Sequence, residues 1–107
     1  MQALWIYMTA GSMDEARDVG RVLVQERLAA CVNIIPGVRS LFWWEGQVQE
    51  GDEVVMVAKT RKDLLDRLVE RVKDVHSYDC PCVVAMPIQG GNPPFIDWIG
   101  TETVKQD

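Results

Sequence analysis

The longest apolar and β-branched pattern in the chain covers residues 29–46 and predicts a strand. Pro36-Gly37 interrupts the pattern, and because proline removes a hydrogen-bond donor from a sheet, we predict a bend or bulge there. Glu45-Gly46 predicts a tight turn, and residues 47–60 predict the returning strand, with a break at Gly51-Asp52. This hairpin is too long for a small domain, so we expect it to reach onto another molecule as an arm.

A strand and a helix are predicted before this hairpin. Residues 3–9 are apolar on both alternating faces, which predicts a strand that is covered on both sides. Ser12 and Glu15 form a capping box, and the pattern that follows predicts a helix to about Arg27. The apolar stripe of this helix consists of Ala16, Val19, Gly20 and Leu23.

A second helix is predicted after the hairpin. Thr60 is its expected N-cap with Asp63 three residues later, and a stripe of leucine and valine residues runs from Leu64 to Val75. A loop is predicted over residues 76–81. A fourth strand is predicted over residues 82–86, and the proline that follows is expected to end it.

The pattern closes with a short apolar helix and a polar tail. Residues 95–99 predict one or two helical turns, and residues 101–107 are expected to fray. The order of strand, helix, strand, strand, helix and strand is that of the split βαβ or ferredoxin-like motif, so we predict an α+β fold in one domain over residues 1–107. The helices can cover only one face of the sheet, and we expect a neighbouring subunit to cover the other.

Composition and charge narrow the classes of function. The chain has 107 residues, of which 48% are hydrophobic, and a net charge of −5. It therefore lacks the excess of cations that binds nucleic-acid phosphates, and we expect no nucleic-acid partner. No apolar run is long enough to span a bilayer and no secretory signal is visible, so we expect a cytoplasmic protein without a membrane partner. An odd number of cysteines, three, indicates reduced thiols.

Six motifs, in order along nearly the whole chain, carry a resemblance to a known family. They are RLAACVNIIPG at residues 27–37, SLFWWEG at 40–46, Glu53, Lys59-Thr60, HSYDCP at 76–81 and the segment from Gly90 to Trp98. Together they resemble the divalent-cation tolerance proteins called CutA. The resemblance implies a ferredoxin-like subunit in a homotrimer shaped like the nitrogen-signalling PII proteins, with strands and hairpin arms joined between neighbours. It also implies an association with copper and other divalent cations.

Departures from the family pattern change the set of candidate metal ligands. The family usually has proline and glutamate where this chain has Ser77 and Asp79. Family members with a described copper site use a cysteine at the end of the first strand and a pair of histidines, and the matching positions here are Met8, Val75 and His76. His76 and Met8 are therefore the candidate metal ligands. Because an imidazole and a thioether are too few for a tight site, we expect weak, labile binding of copper and no required cofactor.

A second class of function stays open, a PII-like binding module that holds a small anion in clefts between subunits. Lys59 and Arg39 would supply the positive charge, and Cys31 completes the candidate ligand-binding residues. For Lys59 the alternative is a side chain whose ammonium group lies in water, and for Cys31 it is a buried, inert thiol. An enzyme is not expected, because His76 is the only base available to Cys31 and no phosphate-binding loop follows a strand. An unidentified protein partner also stays open.

Two further motifs are interpreted as structural. Cys80-Pro81-Cys82 offers at most two soft metal ligands, so we interpret its thiols as structural or incidental. Trp43 and Trp44 are expected to pack across a subunit interface, because the acidic charge of the chain disfavours a platform for stacking bases.

Overall fold

A computed structural model describes residues 1–103, which form a four-stranded antiparallel sheet and three helices. The elements are β1 (Ala3–Ala10), α1 (Met13–Gln25), β2 (Cys31–Trp44), β3 (Gln47–Arg61), a 3-10 turn (Lys62–Leu64), α2 (Leu65–Val75), β4 (Val83–Pro87) and α3 (Pro93–Glu102). The strand order is β2-β3-β1-β4, so β1 lies between β3 and β4. This confirms the predicted α+β fold of the ferredoxin-like type.

The main core lies between the sheet and the first two helices. Ile6 and Met8 of β1 and Met56 of β3 are fully buried there, together with Leu23 of α1 and Leu68 of α2. These residues are the predicted apolar stripes of the helices and one of the two predicted faces of the strands. Burial of several large side chains at about 1.5–3 kcal/mol each supplies the main driving force for folding.

The opposite face of the sheet is covered only at one end. There Ile99 of α3 packs with Ala3 and Ala30 in a second, smaller cluster. Several apolar side chains on this face remain partly or largely exposed, namely Trp5, Tyr7, Val84 and Met86. Because α3 does not reach them, this face is left open in the single chain.

The long hairpin is bent where the sequence predicts it. Ile35 pairs with Val55, but the next pair is Val38 with Glu53, so Pro36-Gly37 opposes a single residue of β3. Such a bulge adds one residue to β2 and exchanges the faces to which its side chains point. Beyond the bulge, odd-numbered residues of β2 therefore share the helix-covered face of the sheet with even-numbered residues of β3.

The hairpin beyond the bulge forms an arm, which we define as residues 38–53. Its turn places Glu45 at φ 51° and Gly46 at φ 76°, as in the turns that favour tight hairpins. The predicted break at Gly51-Asp52 is wrong, because β3 runs through these residues and pairs them with Ser40 and Arg39. Apart from Met1, the most exposed large apolar side chains all lie on the arm, with Trp43 at 75%, Leu41 at 66% and Val48 at 59%.

Of the two predicted N-caps, the one of α1 is present in the structure and the one of α2 is not. Ser12 accepts a hydrogen bond from the Glu15 N–H at 3.1 Å, so the N-cap of α1 is confirmed. Thr60 is not the cap of α2, and that prediction is wrong. Its hydroxyl is buried and donates to the carbonyl oxygen of Leu28 at 2.6 Å, while α2 begins after the 3-10 turn without a side-chain cap. The helix α1 also ends earlier than predicted, and Arg27 adopts φ 60° just beyond it.

The C-terminal part is more regular than predicted. The helix α3 spans ten residues and begins with Pro93, a residue favoured in the first turn because its missing N–H would be unpaired anyway. The expectation of a frayed tail is wrong for residues 101–103, since Thr103 is buried and its hydroxyl donates to the Ile99 carbonyl at 2.6 Å. Residues 104–107 of the predicted tail lie outside the described residues.

Candidate functional site

His76 follows α2 and inserts its ring beneath the end of β1. Its side chain is 1% exposed. The Tyr78 N–H lies 3.1 Å from Nδ1 and is a donor, so Nδ1 must accept. This assigns the proton to Nε2, which donates to the carbonyl oxygen of Thr9 at 2.7 Å. Both ring nitrogens are therefore occupied, and a metal ion would have to displace one of these hydrogen bonds.

Glu15 joins the start of α1 to the loop after His76. Its carboxylate accepts hydrogen bonds from the Ser77 N–H at 2.7 Å and the Gly11 N–H at 3.3 Å, and it lies 3.9 Å from Nδ1 of His76. Burial acts to raise the pKa of Glu15, but the hydrogen bonds from Ser77 and Gly11 outweigh it, and the net pKa is lowered. Glu15 is therefore held as a carboxylate that fixes the loop.

Glu15 makes part of the stability sensitive to acid. Because its pKa lies below the usual 4.5 in the folded chain, its contribution is present above pH 4.5 and is lost as the pH falls through the lowered value. We expect the unfolding free energy of Glu15→Gln, measured with urea from about pH 6 to about pH 3, to fall less than that of the parent chain. Glu70→Gln, which removes an exposed carboxylate of α2, is the control and should follow the parent. Parallel profiles for the parent and Glu15→Gln would contradict this role.

Tyr78 extends the cluster to β3. Its hydroxyl donates to Oε2 of Glu53 at 2.9 Å, and its ring lies 4.6 Å from that of His76, centroid to centroid. Burial, the hydrogen bond to Glu53 and the nearby negative charge raise the pKa of Tyr78 to about 12. Gly11 makes room for this ring, since a Cβ there would lie 3.3 Å from the Tyr78 hydroxyl oxygen. The phenol therefore acts at neutral pH as a donor, not as a base.

The cysteines of the same loop differ in exposure. Cys80 is exposed, whereas Cys82 is partly buried. Burial and the charge of Glu53 raise the pKa of the Cys82 thiol. A protonated thiol is a poor nucleophile and a poor metal ligand, which agrees with a structural role for Cys82.

The two predicted metal ligands differ in environment. Met8 is fully buried in the main core. The His76 ring donates a hydrogen bond to the carbonyl oxygen of Thr9, the residue that follows Met8. Within residues 1–103, no group of three or more histidine, cysteine, aspartate or glutamate side chains is arranged to hold a metal ion. The role of His76 and Met8 in binding a metal stays a prediction.

Of the three predicted ligand-binding residues, the structure brings two together. Lys59 and Cys31 face each other across β3 and β2, with Nζ 3.9 Å from Sγ, and Nζ also donates to Oδ1 of Asn33 at 2.9 Å. Arg39 lies on the arm, where it pairs with Asp52 at 3.2 Å and Glu50 at 3.5 Å. Eight residues separate Cys31 from Arg39 along β2, roughly 25 Å at strand spacing, so one chain does not join Arg39 to Lys59.

Sequence reasoning missed the cluster of Glu15, Tyr78 and Glu53 around His76. Glu15 was visible only as a capping residue, and Glu53 and Tyr78 only as parts of family-like motifs. The strand pairing of β1 with β3 and β4 brings them together from three separate segments, and no local spacing indicates that.

Comparison with known proteins identifies the family. The family model described as CutA1 divalent ion tolerance protein matches residues 4–102. The divalent-cation tolerance protein CutA of Archaeoglobus fulgidus is 45% identical over 101 residues, which cover 94% of this chain and 97% of that protein. This chain belongs to the CutA1 family. The CutA of Thermus thermophilus is 43% identical over 98 residues, which cover 92% and 95% of the two chains.

Solved structures of the CutA1 family share the whole fold. The crystal structure of CutA1 from Oryza sativa has a TM-score of 0.96 and 40% identity, covering 99% of this chain and 97% of that chain. The Thermus thermophilus structure has a TM-score of 0.93 and 41% identity, covering 95% and 99%. The full chloroplastic rice protein is longer, and this chain spans about half of its length, 55%.

Location differs among these relatives. The solved Archaeoglobus fulgidus CutA is described as periplasmic, and the rice protein is named as chloroplastic. Among the helices of residues 1–103, none is long and apolar enough to cross a membrane. The expected cytoplasmic location of this chain stays a prediction.

Proposed function

We propose that this chain acts in tolerance of divalent cations, as a cytoplasmic, non-enzymatic homotrimer that binds copper or another divalent cation weakly. The observation that carries the proposal is the family match over residues 4–102 together with relatives named for divalent-cation tolerance that it matches over nearly their whole length. The exposed arm and the open sheet face support an assembly of several copies, since apolar surfaces of this kind mark interfaces.

Weak binding of a metal agrees with the surroundings of the candidate ligands. A metal ion at His76 would compete with the Thr9 carbonyl or the Tyr78 N–H, and the buried thioether of Met8 adds at most one soft ligand. In this proposal no cofactor is required for folding. A non-enzymatic role is supported by the bonding of His76, because both of its nitrogens contact main-chain groups and not a nucleophile.

The experiment combines growth with titration. A strain that lacks its own CutA protein is complemented with this chain or with His76→Gln, and growth is followed as copper is raised. The reduced proteins are titrated with copper in parallel. We expect this chain to restore growth, and His76→Gln to bind copper more weakly. Failure to restore growth would contradict the tolerance role, and equal copper affinity would remove His76 from the site.

A second candidate function is the binding of a small organic anion. It is favoured by Lys59, whose ammonium group lies on the open sheet face beside Asn33 and Cys31 and forms no ion pair with the carboxylates of residues 1–103. Arg39 would have to come from a neighbouring subunit. Native mass spectrometry of the purified protein would detect an anion that is retained by Lys73→Gln, an exposed control, and lost in Lys59→Gln. If the measured mass of the parent protein includes no bound anion, this candidate function is contradicted.

A further inference from the structure

Three polar side chains meet on the open face of the sheet, at the start of β2. Lys59 of β3 is the cross-strand partner of Cys31, and its Nζ lies 3.9 Å from Sγ. Asn33 is the next residue of β2 on the same face, and its Oδ1 accepts a hydrogen bond from Nζ at 2.9 Å. Lys59 also pairs with Trp5 of β1, which places these side chains on the face that α3 leaves open. We call Cys31, Asn33 and Lys59 the thiol–amine cluster.

The sheet holds the thiol and the amine of this cluster close together. Ala58 and Thr60, which flank Lys59 on β3, are fully buried in the subunit. Just before β2, the Ala30 N–H donates to the Lys59 carbonyl oxygen at 2.8 Å and so extends the pairing of the two strands. Residues directly opposite each other in antiparallel strands have Cβ atoms about 4.5–5.5 Å apart. Cys31 and Lys59 therefore stay within reach of each other whichever rotamers they adopt.

Both nucleophilic groups of the cluster are available for reaction. Cys31 is partly exposed and forms no disulfide. The amine of Lys59 forms no ion pair with a carboxylate of residues 1–103, whereas Lys73 of α2 lies 3.5 Å from Glu70. Among the described lysines, Lys59 is the one that hydrogen-bonds to a cysteine sulfur. The pair thus combines an accessible thiol with an amine that no acidic side chain neutralises.

A thiol and an amine in contact can pass an acyl group from sulfur to nitrogen. After the Cys31 thiol gives its proton to water, its sulfur attacks the carbonyl carbon of an acyl thioester, forms an S–C bond and releases the thiolate of the reagent. The ammonium group of Lys59 also gives one proton to water, and the neutral amine attacks the same carbon. An N–C bond forms, the bond to Sγ breaks, and the remaining amine proton passes to the Cys31 sulfur.

The geometry of the cluster favours this second step. The acyl carbon is bonded directly to Sγ, and Nζ lies only 3.9 Å from that sulfur, so the amine needs little movement to reach the carbon. Reacting groups that are held in contact behave as if each were present at a very high concentration, because the entropy of bringing them together is already lost. An amine without a neighbouring thiol has no such advantage.

We propose that the thiol–amine cluster is a modification site, at which Cys31 takes an acyl group from a small acyl thioester and passes it to Lys59. The acyl group ends as an amide on the chain itself, so each chain is modified once and the site does not turn over. Acylation removes the positive charge of Lys59, and with it the cation that the second candidate function requires. In the proposed homotrimer the open face adjoins other copies, so the thioester enters through the cleft between them.

Site-resolved mass spectrometry after exposure to a small thioester tests this inference. The assembled 107-residue protein is incubated with S-acetyl-N-acetylcysteamine at mildly alkaline pH, and the acetylation of each lysine is followed with time. We expect Lys59 to be acetylated about a hundredfold faster than Lys73, whose side chain is 54% exposed. Cys31→Ala should remove this advantage and leave Lys73 unchanged. Cys80→Ala, which removes an exposed thiol elsewhere, is the control and should react like the parent.

Two further measurements distinguish transfer from sulfur from simple exposure of the amine. The N-hydroxysuccinimide ester of acetic acid acetylates amines without a thiol, so it should modify Lys59 equally in the parent and in Cys31→Ala. In Lys59→Arg the positive charge stays but the guanidinium cannot give up its proton to accept the acyl group. The acetyl group should therefore remain on Cys31 in this variant, as a thioester that hydroxylamine removes.

Three results would overturn the modification site. They are equal rates of thioester acetylation at Lys59 in the parent and in Cys31→Ala, a Lys59 that reacts no faster than Lys73, and the absence of an acetyl group on Cys31 in Lys59→Arg. None of these results bears on the tolerance of divalent cations, which growth and copper titration test separately.

Discussion

Replacing Trp43 by alanine should dissociate the assembly while leaving the fold of the subunit intact. In the single chain this ring is 75% exposed and projects from the arm beside Val48, its partner on β3. An exposed indole contributes little to its own chain, so its burial must come from another molecule. If the assembly buries the ring fully, its loss costs about 3–5 kcal/mol from lost burial and the cavity left behind.

This cost corresponds to about two to three and a half powers of ten in the association constant. The measurement is light scattering across a dilution series, with far-ultraviolet circular dichroism as the measure of subunit structure. Trp44→Ala, which removes a ring that is 53% exposed on the other face of the arm, should act in the same direction. Gln47→Ala at the same hairpin end is the control. If both tryptophan variants keep the assembly mass and the melting temperature of the parent, both rings lie in solvent and this prediction is wrong.

Replacing His76 by alanine should destabilise the subunit itself. The ring is buried, donates to the Thr9 carbonyl, accepts from the Tyr78 N–H and packs on the Tyr78 ring. Its removal leaves the buried Thr9 carbonyl and the partly buried Tyr78 N–H without this partner, and it leaves a cavity beneath β1. We expect a loss of about 2–4 kcal/mol in unfolding free energy, measured with urea at one fixed protein concentration.

A matched variant separates the hydrogen bond from the packing. In His76→Gln the side-chain amide can still donate to the Thr9 carbonyl, so this variant should lose less than His76→Ala. Asp79→Ala removes an exposed neighbour in the same loop and should be close to neutral. If His76→Ala unfolds like the parent chain, the hydrogen bonds of this ring contribute nothing to stability.

The sequence predicted the parts of the fold that depend on local patterns. Alternation and turn residues located the hairpin, and the bulge at Pro36-Gly37 follows from a proline that cannot donate within a sheet. Thr60 shows the limit of such patterns. Threonine before a helix is typical of an N-cap, but strand pairing with Leu4 carries Thr60 into the core, where its hydroxyl binds a main-chain carbonyl instead.

The candidate site depended on contacts between distant segments and was predicted only in part. Lys59 and Cys31 were both named as candidates, and strand register brings them together. Arg39 was grouped with them by charge alone, although eight residues along β2 separate it from Cys31 within one chain. The burial of His76 has no local signal, because it results from the loop that Glu15 and Tyr78 fix against β1.

The mass of the purified protein in solution tests the central proposal most directly. Light scattering of the 107-residue chain at micromolar concentration should give about 36 kDa, three times the chain mass of 12.1 kDa, with no folded monomer on dilution. A folded species of about 12 kDa at that concentration would contradict the proposed homotrimer.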